Sequence, residues 1–235
     1  MNANEFTNYL KTLDITITEE QINKFIKYKD LLQEYNKKFN LTSITLEEDI
    51  FLKHFYDSLC LFKVKDLFKN IKLLDIGSGA GFPGIPLAII NKDLKVTLLE
   101  SNNKKCGFLS IVKEKLNLDN IEIINARSEE YTKTNRELYD IVTSRAVAHL
   151  RVLSEIETPA LKVNGLFLPL KSHITEELET SKDLFTKLNL KLEKIIDYIL
   201  PIEESSRTIL VIRKTKETSP IYPRAYNKII KEIKG

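Results

Sequence analysis

The sequence predicts an α/β fold: a Rossmann-like, mostly parallel sheet of seven strands with helices on both faces, preceded by a helical extension. Three observations predict it. From residue 71 onward, short apolar runs alternate with longer helix-like segments. The first such run, Ile71, Leu73, Leu74 and Ile76, passes into glycines at 77, 79, 81 and 84 and then into the apolar stretch 85–90. Before residue 65 the pattern is helical, apart from an irregular piece at 39–44.

In order along the chain, Thr18-Glu-Glu-Gln21 has the spacing of a capping box, and Ile22, Phe25, Ile26, Leu32 and Tyr35 follow on one helical face. Thr45-Leu-Glu-Glu48 repeats the signal ahead of Ile50, Phe51 and Phe55. Residues 1–65 are too few for an independent domain and are read as a helical extension packed on the sheet domain. Strands are expected at 71–76, 94–100, 121–124, 139–144, 163–170, 190–198 and 207–213. Helices are expected at 84–91, 102–116, 149–161 and 174–187, with Pro83 and Pro86 tolerable in a first helical turn. A short Pro-Ile-Glu-Glu-Ser-Ser link joins the last two strands and suits a hairpin. From residue 215 the chain, with Pro220 and Pro223, reads as a poorly anchored basic tail.

Composition narrows the function. The 235 residues are 43% hydrophobic, enough for one sizeable core, and no apolar run is long enough to span a bilayer. The first residues lack the basic and then apolar layout of a secretory signal, so a cytoplasmic protein is expected. Cys60 and Cys106 have no metal-site spacing, and three scattered histidines (54, 149, 173) suggest no metal either. The net charge of +3 is small, but residues 207–235 carry eight Lys/Arg against two Glu. That end could meet phosphates, or it could be an ordinary solvated terminus.

In an open parallel sheet, ligands bind beyond the carboxyl ends of the strands. Those ends deliver Asp75 with the glycines, then Glu100, then Ser128 and Glu129, then Arg145, then Lys171. A charged residue at one strand end is often just a solvated surface residue; five in succession argue for a site. Two cofactors compete at the glycines. Gly79-x-Gly81-x-x-Gly84, with Glu100 about 20 residues on, fits a dinucleotide fingerprint, which is a short and weak pattern. Asp75-x-Gly77-x-Gly79-x-Gly81 instead resembles the S-adenosylmethionine (SAM) loop of class I methyltransferases, where the strand ends in an acid. A dinucleotide seats its pyrophosphate at the helix N-terminus, where a neighbouring carboxylate is unwelcome. The acid favours SAM. A purely structural glycine turn is the third possibility.

The resemblance then becomes specific. Asn40-Leu-Thr-Ser-Ile44, His54 with Asp57-Ser58, and Asp75-Ile-Gly-Ser-Gly-Ala-Gly-Phe-Pro-Gly84 are similar to the bacterial small-subunit ribosomal RNA methyltransferase G (GidB-like) family. So are Leu99-Glu-Ser101, Lys104-Lys105, Phe108-Leu109, Arg127-x-Glu129, Ser144-Arg-Ala-Val-Ala148, Leu170-Lys171 and Tyr222-Pro-Arg224. The likeness spans about residues 20–224. It implies a class I SAM-dependent methyltransferase domain at 66–214, between the helical extension at 1–65 and the tail at 215–235. It implies methylation of guanine N7 in 16S ribosomal RNA, at guanine 527 of the 530 loop; a monomer without metal is expected, although the sequence itself does not show whether the protein dimerises. The cofactor would be held by Asp75, Gly77, Gly79, Gly81, Phe82, Ser128, Glu129 and Arg145, with Glu100 on its ribose. The substrate side would use Asn40, His54, Asp57, Arg145, Lys171 and Arg224, while Asn40 could equally cap a turn and Asp57 could cap a helix or pair structurally with His54. Two departures stand out: Ser172 replaces the family's glycine after the lysine, and the ending Ala225-Tyr-Asn-Lys-Ile-Ile-Lys231 is divergent.

Guanine N7 offers a lone pair and no proton, so no acid or base need be assigned. Arg145 and Lys171 are then positioning candidates. The chain lacks the Asn/Asp-Pro-Pro-aromatic motif of adenine-amino enzymes and the Pro-Cys nucleophile of cytosine-C5 enzymes. A methyltransferase acting on a small molecule or a protein satisfies the same absences and remains the alternative.

Overall fold

The computed structural model describes residues 1–64, 70–145, 147–172 and 174–234. The expected boundary at 65/66, Ala146 of the Ser-Arg-Ala-Val-Ala motif and His173 lie outside them. The seven strands are β1 Lys72–Ile76, β2 Lys95–Glu100, β3 Ile121–Asn125, β4 Tyr139–Arg145, β5 Leu161–Lys171, β6 Leu190–Ile199 and β7 Ser206–Lys214. They form one sheet in the order β3-β2-β1-β4-β5-β7-β6. Strands β1 to β5 pair in parallel, and β7 runs antiparallel to both β5 and β6. The short link between β6 and β7 permits only a hairpin, which is why the parallel run stops there. The order reverses between β1 and β4, and a crevice opens at that switch point.

The helices are α1 Ala3–Leu10, α2 Glu19–Phe39, α3 Glu47–Asp49, α4 Asp57–Leu59, α5 Gly84–Ile90, α6 Asn103–Lys115, α7 Ser128–Thr134, α8 Leu150–Glu157, α9 Thr175–Glu179, α10 Lys182–Lys187 and α11 Tyr226–Lys234. A π-helical segment, Ile50–Tyr56, links α3 to α4. The capping box at Thr18 forms as expected. The one expected at Thr45 does not. Leu46 is the N-cap of α3, and the Thr45 carbonyl instead accepts from Gln33 Nε2 at 2.9 Å.

The extension shares the core of one sheet face. Phe6, Phe25, Phe51 and Phe55 are fully buried, with ring centroids 5.0 Å apart for Phe6–Phe25 and Phe25–Phe55. Tyr28 stacks between Phe55 and Phe82 and donates its hydroxyl to the Ala80 carbonyl in the glycine loop. Gln21 Nε2 donates to the Ile89 and Ile90 carbonyls, which satisfies the C-terminal end of α5. Residues 1–64 are thus joined to the sheet domain by packing and by hydrogen bonds.

Three segments differ from the sequence reading. The helix expected at 174–187 breaks in two, because Thr180 and Ser181 turn their hydroxyls back onto the Glu176 and Glu177 carbonyls. Helix α7 was not expected; it is polar, with two acids in its first turn. The last segment is anchored where a loose tail was expected. Arg136 donates to the Thr218, Ser219 and Tyr222 carbonyls, and α11 packs Ile229 on Val152 and Ile156 of α8.

Candidate functional site

The loop after β1 is built by its backbone. Gly77 N and Ser78 N both donate to the Leu99 carbonyl on β2, at 2.8 and 3.2 Å. Gly81 sits at φ +104°, and a Cβ there would stand 2.4 Å from Ile85 Cδ1 and 2.7 Å from Tyr28 Oη, so only glycine fits. Gly79, at φ +60°, is less confined, since a Cβ there would meet only the Gly77 carbonyl oxygen at 3.8 Å, and it donates its N–H to Glu100 Oε2 at 2.9 Å.

Asp75 is fully buried behind this loop and does not border the crevice. Its Oδ2 accepts from Gly84 N at 2.9 Å, the first residue of α5, while Oδ1 has no partner among the described residues. Burial raises its pKa to about 7, against the opposing pull of the Gly84 N–H and Arg145. The consequence bears on the choice of cofactor. A carboxyl group already occupies the N-terminus of α5, where a dinucleotide would have to place its pyrophosphate. Gly81 likewise shapes the loop from behind, without reaching the crevice.

The crevice is a cavity of about 410 Å³. Gly77, Gly79 and Phe82 form its loop side, Glu100 its middle, Ser128 and Glu129 one end, and Arg145 the other side. Glu100 is 7% exposed, and its second oxygen accepts from Asn102 N at 2.8 Å, so backbone donors fix the carboxylate facing inward. That is the arrangement needed to accept hydrogen bonds from a ribose diol. Glu129 Oε2 is buried with no partner among the described residues, an acceptor left for a ligand's donor. An adenosyl cofactor fits these donors and acceptors.

A second depression of about 530 Å³ shares His54 and Arg145 with the first and is bordered by Lys53, Asp57, Lys171 and Arg207. Its polar groups are tied together. The Arg145 guanidinium donates to the Lys53 carbonyl at 2.9 Å, Asp57 Oδ2 at 3.1 Å and His54 Nδ1 at 2.9 Å, and lies 5.1 Å from the Phe82 centroid. Because arginine can only donate, His54 Nδ1 accepts, and its Nε2–H donates to Thr42 Oγ1 at 2.9 Å. Burial, reinforced by the Arg145 charge, lowers the His54 pKa to about 2, so the ring is neutral. It stacks on Phe82 at 4.2 Å and 10°. Tyr198 Oη donates to Asp57 Oδ1 at 2.7 Å. Lys171 Nζ donates to the Ala148 carbonyl and Glu177 Oε2, both at 2.6 Å.

Thus His54, Asp57, Arg145 and Lys171 come together. Asn40 and Arg224 do not join them. Asn40 is the left-handed C-cap of α2, at φ 49°, with its N–H on the Asn36 carbonyl. Arg224 is held by Glu155, which is fully buried, through Nε at 2.8 Å and Nη2 at 2.6 Å. Leu41, Thr42, Lys105, Val147, Ala148 and Tyr226 also border the cavity and were not singled out as site residues. The first five lie inside or beside the family-like motifs, so neighbourhood was an available signal. Tyr226, in the divergent ending, had none.

Comparison with known proteins places the chain in a family. Residues 21–205 match the family model described as rRNA small subunit methyltransferase G. The chain is 46% identical over 222 residues to "Ribosomal RNA small subunit methyltransferase G" of Clostridium botulinum (strain Alaska E43 / Type E3), covering 93% of this chain and 92% of that protein. It is 45% identical over 227 residues to the protein of that name from Bacillus subtilis (strain 168), covering 95% of each. Among solved structures, M. jannaschii TYW2 in complex with AdoMet superposes with a TM-score of 0.55 at 17% identity, over 73% of this chain and 77% of that one. A SAM-dependent O-methyltransferase from Thermotoga maritima gives 0.53 at 16%, over 80% and 73%. At such identities these two structures support the fold alone.

Proposed function

The chain belongs to the rRNA small subunit methyltransferase G family, and from that membership we propose that it methylates N7 of a guanine in 16S ribosomal RNA. It is a SAM-dependent methyltransferase. By the family resemblance the acceptor is guanine 527 of the 530 loop, within the small ribosomal subunit; we further propose that the protein is cytoplasmic and acts as a monomer. No helix among the described residues is long and apolar enough to cross a membrane.

The observation that supports this reading is the joining of the two depressions at His54 and Arg145. Bound SAM supplies a methyl group already activated on a sulfonium. The residues then have to orient. Glu100 and Glu129 hold the adenosyl half, and the glycine loop lets it approach the backbone. His54 and Arg145 stand where the two depressions meet, with Phe82 stacked on the His54 ring from the cofactor side. Lys53, Lys171 and Arg207 border the second depression, each beside a carboxylate (Lys53 with Asp49 and Glu203, Lys171 with Glu177, Arg207 with Asp57), so a phosphate backbone would compete with these pairs for them.

The bonding of His54 and Asp57 is compatible with N7 as the acceptor. Both nitrogens of His54 are engaged and the ring stays neutral. Both oxygens of Asp57 accept from Arg145 and Tyr198. Neither group is poised to take a proton, and N7 requires none to be taken. Catalysis by near-attack positioning suffices.

The test is to incubate the protein with methyl-labelled SAM and, separately, 30S subunits, naked 16S RNA, cell protein and metabolite pools. Label in the RNA that maps to a single guanine cleavable after borohydride and aniline treatment is expected. Label confined to protein or metabolites overturns the assignment.

A further inference from the structure

The C-terminal helix reaches the cofactor cavity, and it lies beyond residues 21–205, which the family model matches. Tyr226, the first residue of α11, borders the cavity beside Arg127, Ser128 and Glu129. The Arg127 guanidinium carbon lies 5.5 Å from the centre of the Tyr226 ring. Glu129, with its unpartnered buried oxygen, marks the same end. Strand order makes this the end farthest from Arg145: the β3 loop supplies Ser128 and Glu129, and β4 supplies the arginine. With Glu100 on the ribose between them, the base of the cofactor falls at the Tyr226 end.

The ring is also held there. Ile229, one turn along α11, is 1% exposed and packs on Val152 and Ile156, two residues of α8 that themselves line the cavity. Immediately before the helix, Arg224 binds Glu155 through its backbone N at 2.9 Å and through its guanidinium. Glu232 closes the arrangement by pairing with both Arg224, at 2.7 Å, and Arg151, at 2.8 Å. This is extensive fixation for a terminal segment. It positions one aromatic ring, 39% exposed, at the cavity wall.

We propose that Tyr226 is a cofactor-binding residue whose ring packs against the adenine of SAM, and that α11 is the strap holding it in place. The proposal rests on the SAM reading of the cavity. An aromatic face suits a purine, and stacking of this kind is sensitive to loss of the ring and not of the hydroxyl.

The experiment is calorimetric titration of the full chain with S-adenosylhomocysteine, using wild type, Tyr226→Ala, Tyr226→Phe and Ile229→Asp. Tyr226→Ala should weaken binding about tenfold, and Tyr226→Phe should stay within about twofold. Ile229→Asp, which undocks the strap, should reproduce the alanine loss. Combining the two should add little, because both remove one contact. A second readout does not depend on affinity. The chain has no tryptophan, so Tyr226→Trp places a sole indole in the cavity wall. Its emission should respond to S-adenosylhomocysteine and to methylthioadenosine, which carry the base, and not to homocysteine. Wild type that fails to bind S-adenosylhomocysteine overturns the cofactor reading and this inference together. Wild type that binds, with an unaltered Tyr226→Ala affinity or a silent indole, overturns this inference alone.

Discussion

The central carboxylate of the cofactor cavity, Glu100, is held by backbone donors, whereas the polar side chains of the second depression are held largely by one another. Glu100 takes its hydrogen bonds from Gly79 N and Asn102 N and keeps lone pairs for a ligand. His54, Asp57 and Arg145 instead exchange their bonding capacity among themselves, with Thr42 and Tyr198 completing the set. The difference teaches how each side can recognise its ligand. The first side offers free acceptors on a fixed loop. The second offers shape, a stacked ring pair and a charged rim, and a nucleotide entering it must compete with bonds already made.

The hardest blow to this contrast is Gly81→Val. At φ +104° with Ile85 and Tyr28 in the way, the added side chain should cost on the order of 3–5 kcal/mol and abolish S-adenosylhomocysteine binding. Thermal melting and titration would show it, and a melt within a few degrees of wild type would mean the loop relaxes. Next is Arg145→Ala, which strands the buried Asp57 carboxylate. We expect about 3–4 kcal/mol lost in urea unfolding, only partly recovered by Arg145→Lys, whose point charge cannot bridge the same partners. Full recovery by lysine would show that charge alone matters on this side.

A pH experiment separates the two regions again. Asp75 has a folded pKa of about 7 against an ordinary 3.8, so the native state binds its proton more tightly, and stability falls as pH rises through that window. His54 has the opposite sign: its folded value of about 2 lies below 6.5, so stability is lost as pH falls below 6.5. Asp75→Asn should therefore gain on wild type by roughly 2 kcal/mol between pH 5 and pH 8 in urea unfolding. An unchanged difference would refute the buried neutral carboxyl. The smallest effect is expected from Tyr198→Phe, about 1 kcal/mol of stability, with S-adenosylhomocysteine affinity within about twofold because only the acceptor side loses a donor. A large loss of cofactor affinity would show that the two depressions are not separable in this way.

The cofactor side was legible in the sequence because its signals are local. The run from Leu73 to Gly84 states a strand, a bend and a helix start within a dozen residues, and Glu100 falls at the next strand end. What stayed hidden depends on partners far along the chain. Arg224 read as an RNA contact because nothing near it in sequence reveals Glu155, 69 positions away, as its mate. Tyr226 was invisible for the same reason. Asn40 lies in a family-like motif and could also be read as a turn cap, and the structure places it as the left-handed C-cap of α2. Asp75 reads from the sequence as a cofactor contact, and the structure instead buries it behind the loop on Gly84 N, since adjacency to the glycines does not say on which side of the loop a carboxyl group falls.

Tyr28 gives the fold an indivisible character. Its ring is wedged between Phe55 and Phe82 while its hydroxyl ties the bend at Ala80, so the amino-terminal third supplies a keystone for the nucleoside pocket. Trimming the protein to its sheet would not yield a smaller catalyst. The excised core would lack the prop beneath its own bend, and mutational surveys should find the far-off aromatic positions as intolerant as the glycines they support.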